Sequence, residues 1–207
     1  MTYRQKKFLG INTSDTEIFD LLKAWAAISL AFSILLVKGS SPYSMLLTFL
    51  LAGFTVGIGF IAHELGHKVI AHKFHCWAEF RANNQMLLFA ILTSLLGFLF
   101  AAPGAVVILG NVSKTANGKI SAAGPLMNFI LAIIFLFGLA IPIKFVASVS
   151  FYGFMINTWL GLFNLIPIGN FDGRKILHWN KVVYGIMAFI GISFLLFQQL
   201  LFYISSA

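Results

Sequence analysis

Six carboxylates stand in this chain of 207 residues, and three of them, Asp15, Glu17 and Asp20, come before residue 21. Glu64, Glu79 and Asp172 are the others. Glu64 lies in His63-Glu64-Leu65-Gly66-His67. On a helix, positions four apart share a face, so His63 and His67 can both present an imidazole nitrogen to one metal ion. Glu64 projects beside them, within reach of a water on that ion. A catalytic zinc takes three protein ligands and keeps a fourth position for water. It lowers the pKa of that water towards ~7, and a nearby carboxylate can then take the proton. Chance HExxH matches on polar helices are common enough to weigh. This one ends an apolar stretch, where His and Glu are scarce and costly.

Two histidines leave a third ligand to be found. Asp172 sits in Asn164-Leu165-Ile166-Pro167-Ile168-Gly169-Asn170-Phe171-Asp172-Gly173. Taken alone, Asp-Gly after Pro167 and Gly169 reads as a solvated turn. Whether it can meet the histidines depends on how the chain crosses a membrane.

That a membrane is involved follows from composition: 59% of residues are hydrophobic and only 10% charged. Soluble domains carry about 25% charged residues, and a chain this short has too little interior for the surplus. The apolar runs are 24–37, extendable back through Ile18, Phe19, Leu21 and Leu22, then 45–62, 86–110, 120–141, 145–168 and 182–204. Several reach the ~20 residues that span a bilayer. The expected division is an N-terminal cytoplasmic or interfacial segment, 1–23, and a membrane-embedded domain, 24–207, with its core at about 45–175. The net charge of +8 is spread over short loops. It reads as membrane orientation and anionic-lipid contact, not nucleic-acid binding. Cys76 is the only cysteine, so no internal disulfide can form.

Charge selects the topology. With a cytoplasmic N-terminus and 86–110 dipping in and returning, Arg4, Lys6, Lys7, Lys23, Lys68, Lys73, Arg81, Lys114, Lys119, Arg174, Lys175 and Lys181 lie inside, and only Lys38 and Lys144 outside. If 86–110 crosses, the twelve-to-two split becomes eight to six. The positive-inside rule favours the first arrangement. It gives five spans and one re-entrant segment, with breaks suited to Gly97, Pro103 and Gly104. Non-helical backbone at that depth needs protein cover or a watery cavity. AEFR (78–81) and AVVIL (105–109) are expected to pair there as short strands. The expected fold is all-α and polytopic, with five to six transmembrane helices and this small element. From Met45 to His63 is about 27 Å of helix, which takes His63 to the cytoplasmic edge. The span from Phe145 to Asp172 ends at the same edge. The favoured topology therefore brings Asp172 level with His63, Glu64 and His67.

Together these motifs resemble the site-2 protease family of intramembrane metalloproteases. That family has HExxH in one span and NxxPxxxxDG in a later one; here they read HELGH (63–67) and NLIPIGNFDG (164–173). AAGPLMN (122–128) resembles the AGPxxN opening of the intervening span. The form is compact, without PDZ or CBS modules. Phe171 replaces the usual Leu or Met before the Asp. The resemblance implies one zinc ion per chain held by His63, His67 and Asp172, with Glu64 as general base for a zinc-activated water. It implies cleavage of peptide bonds in or next to a transmembrane helix of a membrane protein substrate, at the cytoplasmic side of a multi-pass cell-membrane protein. Asn164 and Asn128 are further candidates, because a buried amide could steady a substrate backbone or an oxyanion; interhelical hydrogen bonding is the simpler reading. Segments 78–85 and 105–109 could hold an extended peptide by edge pairing. His72, His75 and His178 read as surface residues, and Glu79 as a partner of Arg81 or Lys73. Gly124-Pro125 reads as a helix start. Two other readings compete. A prenyl-protein-type membrane zincin needs a later Glu ligand, and none follows Glu79. A metal transporter or inactive scaffold usually shows repeats, and none is visible.

Overall fold

The computed structural model describes residues 6–8, 11–37, 41–100, 103–110 and 112–206. Arg4 and Lys38, both used in the charge count, lie outside them, as does part of the expected segment 1–23. Strands β1 (Lys6–Phe8) and β2 (Ile11–Thr13) form an antiparallel hairpin. Helices α1 (Asp15–Leu36) and α2 (Pro42–Lys73) follow. Next come β3 (Trp77–Ala82), the short helix α3 (Asn84–Leu95) and β4 (Gly104–Leu109). Helices α4 (Lys114–Gly138), α5 (Lys144–Asn164), α6 (Asp172–Trp179) and α7 (Lys181–Ser206) complete the chain. The fold is all-α apart from two small two-stranded sheets.

Local chemistry sets the helix starts. Ser14, Ser41, Asn83 and Ser113 each accept backbone N–H bonds from the first turn of α1, α2, α3 and α4, satisfying donors that have no partner inside a helix. Five helices, α1, α2, α4, α5 and α7, are long and apolar enough to cross a bilayer. Large apolar side chains on their outer faces stay uncovered by protein, Phe137 at 75% and Phe189 at 72% exposure among them. Such faces suit hydrocarbon.

The segment expected to dip and return reverses its direction. Helix α3 has 12 residues, about 18 Å, too short to span. Gly97 turns the chain at φ 93°, a left-handed conformation that glycine adopts freely. The chain then returns as β4, which pairs antiparallel with β3: Ala78 opposite Ile108, Phe80 opposite Val106, Ala82 opposite Gly104. The strands expected at 78–81 and 105–109 therefore form and meet. Phe80 packs edge-on against Phe60 of α2, ring centroids 5.3 Å apart, which seats the sheet on the helix carrying the histidines.

Two expectations change. The boundary expected at residue 23 falls in the middle of α1, and Glu17 and Asp20, expected on a surface segment, are buried. Pro125 does not start a helix; α4 begins at Lys114 and carries Pro125 in its interior. The neighbouring helices pack closely there, and membrane helices tolerate an interior proline despite its missing N–H. Asp172 opens α6 and is buried, which removes the solvated-turn alternative and agrees with the expectation that it joins the histidines.

Helices α1 and α2 pack through small residues. The Trp25 indole donates to Gly53 O at 2.7 Å. A Cβ at Gly57 would collide with the same indole, 2.8 Å from Cδ1. Such close approach is a recurrent basis of helix association in lipid. Gly57→Ala is expected to lower the unfolding midpoint in lipid, through a stability loss of about 1–3 kcal/mol for an overpacked contact. Gly185→Ala, where a Cβ meets nothing within 4 Å, should leave the midpoint unchanged.

Candidate metal centre

Helix α2 brings His63 and His67 onto one face, one turn apart, and both are buried. Their Nε2 atoms face each other at 3.0 Å. Asp172, at the first turn of α6, places Oδ2 3.4 Å from His63 Nε2 and 3.1 Å from His67 Nε2. These are the three atoms that could hold one ion. A tetrahedral ion with bonds of about 2.0–2.1 Å spaces its donors roughly 3.3 Å apart, close to the separations seen here.

The neighbours assign the tautomers. Asn128 Nδ2 donates to Gly59 O at 3.0 Å and to Asn157 Oδ1 at 3.1 Å, which leaves Asn128 Oδ1 as an acceptor. His63 Nδ1 lies 2.7 Å from that oxygen and so donates to it. His67 Nδ1 lies 2.8 Å from the Ile120 carbonyl of α4 and must also donate. In their neutral form, the one that ligates a metal, both rings then turn an unprotonated Nε2 towards the other. Two lone pairs at that distance repel unless a cation lies between them. Ligating histidines usually give their second nitrogen to such outer partners. The donor set is therefore two neutral imidazoles and one carboxylate, which fits zinc.

Glu64 stands beside the three, and its Oε2 is enclosed without a hydrogen-bond partner. An orphaned carboxylate oxygen is costly, and here it borders a cleft of about 720 Å³. His63, Glu64, His67 and Asp172 line one wall, and Gly104 to Ile108 of β4 line another. Helix α4 is pressed against the imidazoles. A Cβ on Gly124 would fall on His67 Nε2 and lie 2.6 Å from His63 Nε2, and one on Gly66 would lie 2.9 Å from Ala123 O. Only glycine leaves room at these two crossings.

The expected residues divide. His63, Glu64, His67 and Asp172 come together. Asn164 borders the cleft and donates Nδ2 to Leu160 O at 2.9 Å. Asn128 is fully buried, and its amide is committed to His63, Gly59 and Asn157. It has no donor left for a substrate or oxyanion, and it orients a histidine instead. His72, His75 and His178 are exposed, and Glu79 pairs with Arg81. Two residues escaped the sequence reading. Asn157, fully buried on α5, supports Asn128; an amide in an apolar run was its signal. Lys175 Nζ is 3.8 Å from Asp172 Oδ1 at the cleft, a placement that depends on α6, which no periodicity announced.

Two proteins of Methanocaldococcus jannaschii are similar to this chain. One, named "Putative zinc metalloprotease MJ0611", is 38% identical over 190 residues, which cover 90% of this chain and 96% of the relative. The other, named "Zinc metalloprotease MJ0392", is 30% identical over 128 residues, 58% of this chain and 31% of that protein. No family model matches, and no solved structure does.

Loss of an outer-shell partner typically weakens metal binding by about 10–100-fold. Asn128→Ala should show a loss of that size in competition with a calibrated chelator. Gly124→Ala should lower zinc content outright, because the added methyl occupies the space beside both Nε2 atoms.

Proposed function

We propose that this chain, which belongs to a family of zinc metalloproteases, is an endopeptidase of the site-2 protease type, cutting peptide bonds in or beside the transmembrane helix of a membrane protein. One observation carries the reading. Two imidazoles, a carboxylate and an unpartnered Glu64 oxygen share a cleft among helices apolar enough to span a bilayer. Zinc is the cofactor, and His63, His67 and Asp172 are its proposed ligands.

Zinc, when bound, supplies a Lewis acid that polarises a carbonyl and acidifies water. Glu64 takes the proton from the attacking water at Oε2 and hands it to the leaving amine nitrogen. Among the described residues nothing else claims that oxygen, so it is available as a base. Asn164, at the rim, is placed to hold a substrate carbonyl through its amide.

A helical substrate hides its scissile carbonyl in a hydrogen bond and must unwind before cleavage. Antiparallel strands bond across the pair through alternate residues only. The N–H groups of Phe80 and Ala82 point away from β4, towards α1. Their partners Val106 and Gly104 must then turn their backbone groups to the opposite side. Among the described residues no backbone group bonds β4 there. That edge borders the cleft, and an unwound peptide can add to it as a third strand. The active site faces the cytoplasm in the topology that the loop charges favour.

In vesicles containing a single-span reporter, Glu64→Gln should retain zinc and lose cleavage by at least about a hundredfold. Asp172→Ala should lose both zinc and activity. Cleavage of unfolded soluble casein, with the reporter left untouched by wild type, would defeat the intramembrane reading and leave the metalloprotease standing.

A further inference from the structure

The chain spends two of its six carboxylates on α1, on one face and three residues apart. Glu17 is 2% exposed and Asp20 8%. Glu17 Oε1 accepts the Phe80 N–H at 3.0 Å, and Asp20 Oδ2 accepts the Ala82 N–H at 3.3 Å. These are two of the three donors of β3, at positions 78, 80 and 82, that strand alternation turns to the edge opposite β4. Glu17 is itself held from the other side. Its Oε2 accepts from Lys68 Nζ and, at 2.7 Å, from Thr13 Oγ1. Lys68 follows His67 on α2 and is buried. A continuous chain of polar contacts therefore runs from the metal helix, through Lys68 and Glu17, to the backbone of the sheet.

We infer that Glu17 and Asp20 are positioning residues that close the outer edge of β3, so that the edge of β4 along the cleft is the one place where a substrate strand can join this sheet. The inference rests on the edge-pairing reading above. An uncapped β3 edge would carry two unpaired donors and invite pairing on the wrong side. It would also leave the sheet free to shift against α2. With both donors taken by carboxylates anchored on α1, the sheet keeps its offset from His63 and His67. A peptide on β4 then lies at a constant distance from the ion. Bonds of this kind, to charged acceptors in a dry setting, are stronger than neutral ones.

The test uses the full zinc-loaded chain in lipid nanodiscs, with Asp20→Ala, Glu17→Ala and Glu17→Gln. Because Glu17→Ala also strands Lys68 in the interior, Asp20→Ala carries the decision if that variant fails to fold. Hydrogen exchange at the Ala82 amide should rise at least about tenfold in Asp20→Ala, and at Phe80 in Glu17→Ala, while the amides bonded across to β4 stay protected. With the single-span reporter, KM should rise about threefold or more while kcat and zinc content hold. Glu17→Gln keeps an acceptor oxygen and should restore both Phe80 protection and KM. Raised exchange with unchanged KM would make the two carboxylates structural only and overturn the inference. Unchanged exchange, or a fall in zinc content together with kcat, would overturn it as well. A wild-type chain that cleaves nothing would sink the intramembrane reading, whereas amide exchange still decides whether the clamp exists.

Discussion

Two neutral imidazole nitrogens held 3.0 Å apart, with a carboxylate oxygen against both, form an arrangement that only a cation makes favourable. Much of the fold serves that convergence. The histidines come from one helix, but Asp172 is more than a hundred residues away at the start of another. Bringing them together requires α2 and α5 to end on the same side, which forbids the intervening α3 arm from crossing. It requires α4 to lie against the imidazoles, which glycine at 66 and 124 permits. Polar groups in an apolar bundle also need partners, and Asn128, Asn157 and the Ile120 carbonyl supply them.

The parts of this design that could be read from the sequence are those whose signal is local. HELGH announces its own geometry, because helical spacing alone places two imidazoles on one face. The β3–β4 pairing was legible from a segment that had to return, with breaks at Gly97, Pro103 and Gly104, and from short strand-like stretches on either side. The position of Asp172 was legible through charge, since the loop lysines and arginines favour the same topology that the metal cluster needs.

The rest depends on tertiary partners, which a single chain does not display. Asn128 could be read as a substrate ligand or as an interhelical bridge, because an amide in a span must bond to something and composition cannot say to what. Pro125 looked like a helix start because proline usually is one, yet packing against α2 overrides that preference. Glu17 and Asp20 looked like solvated charges. Nothing in their own neighbourhood reveals a strand edge sixty residues later with two donors to satisfy.

The two histidines are held by different kinds of group. His63 leans on a side chain, Asn128, and His67 on a main-chain carbonyl, that of Ile120. A single codon change can soften the first support or strengthen it, exchanging amide for carboxylate or hydroxyl. No exchange of side chain at position 120 removes the second. Variation, natural or engineered, can therefore adjust the basicity of one imidazole independently, while the other keeps a constant electronic character as long as α4 keeps its path.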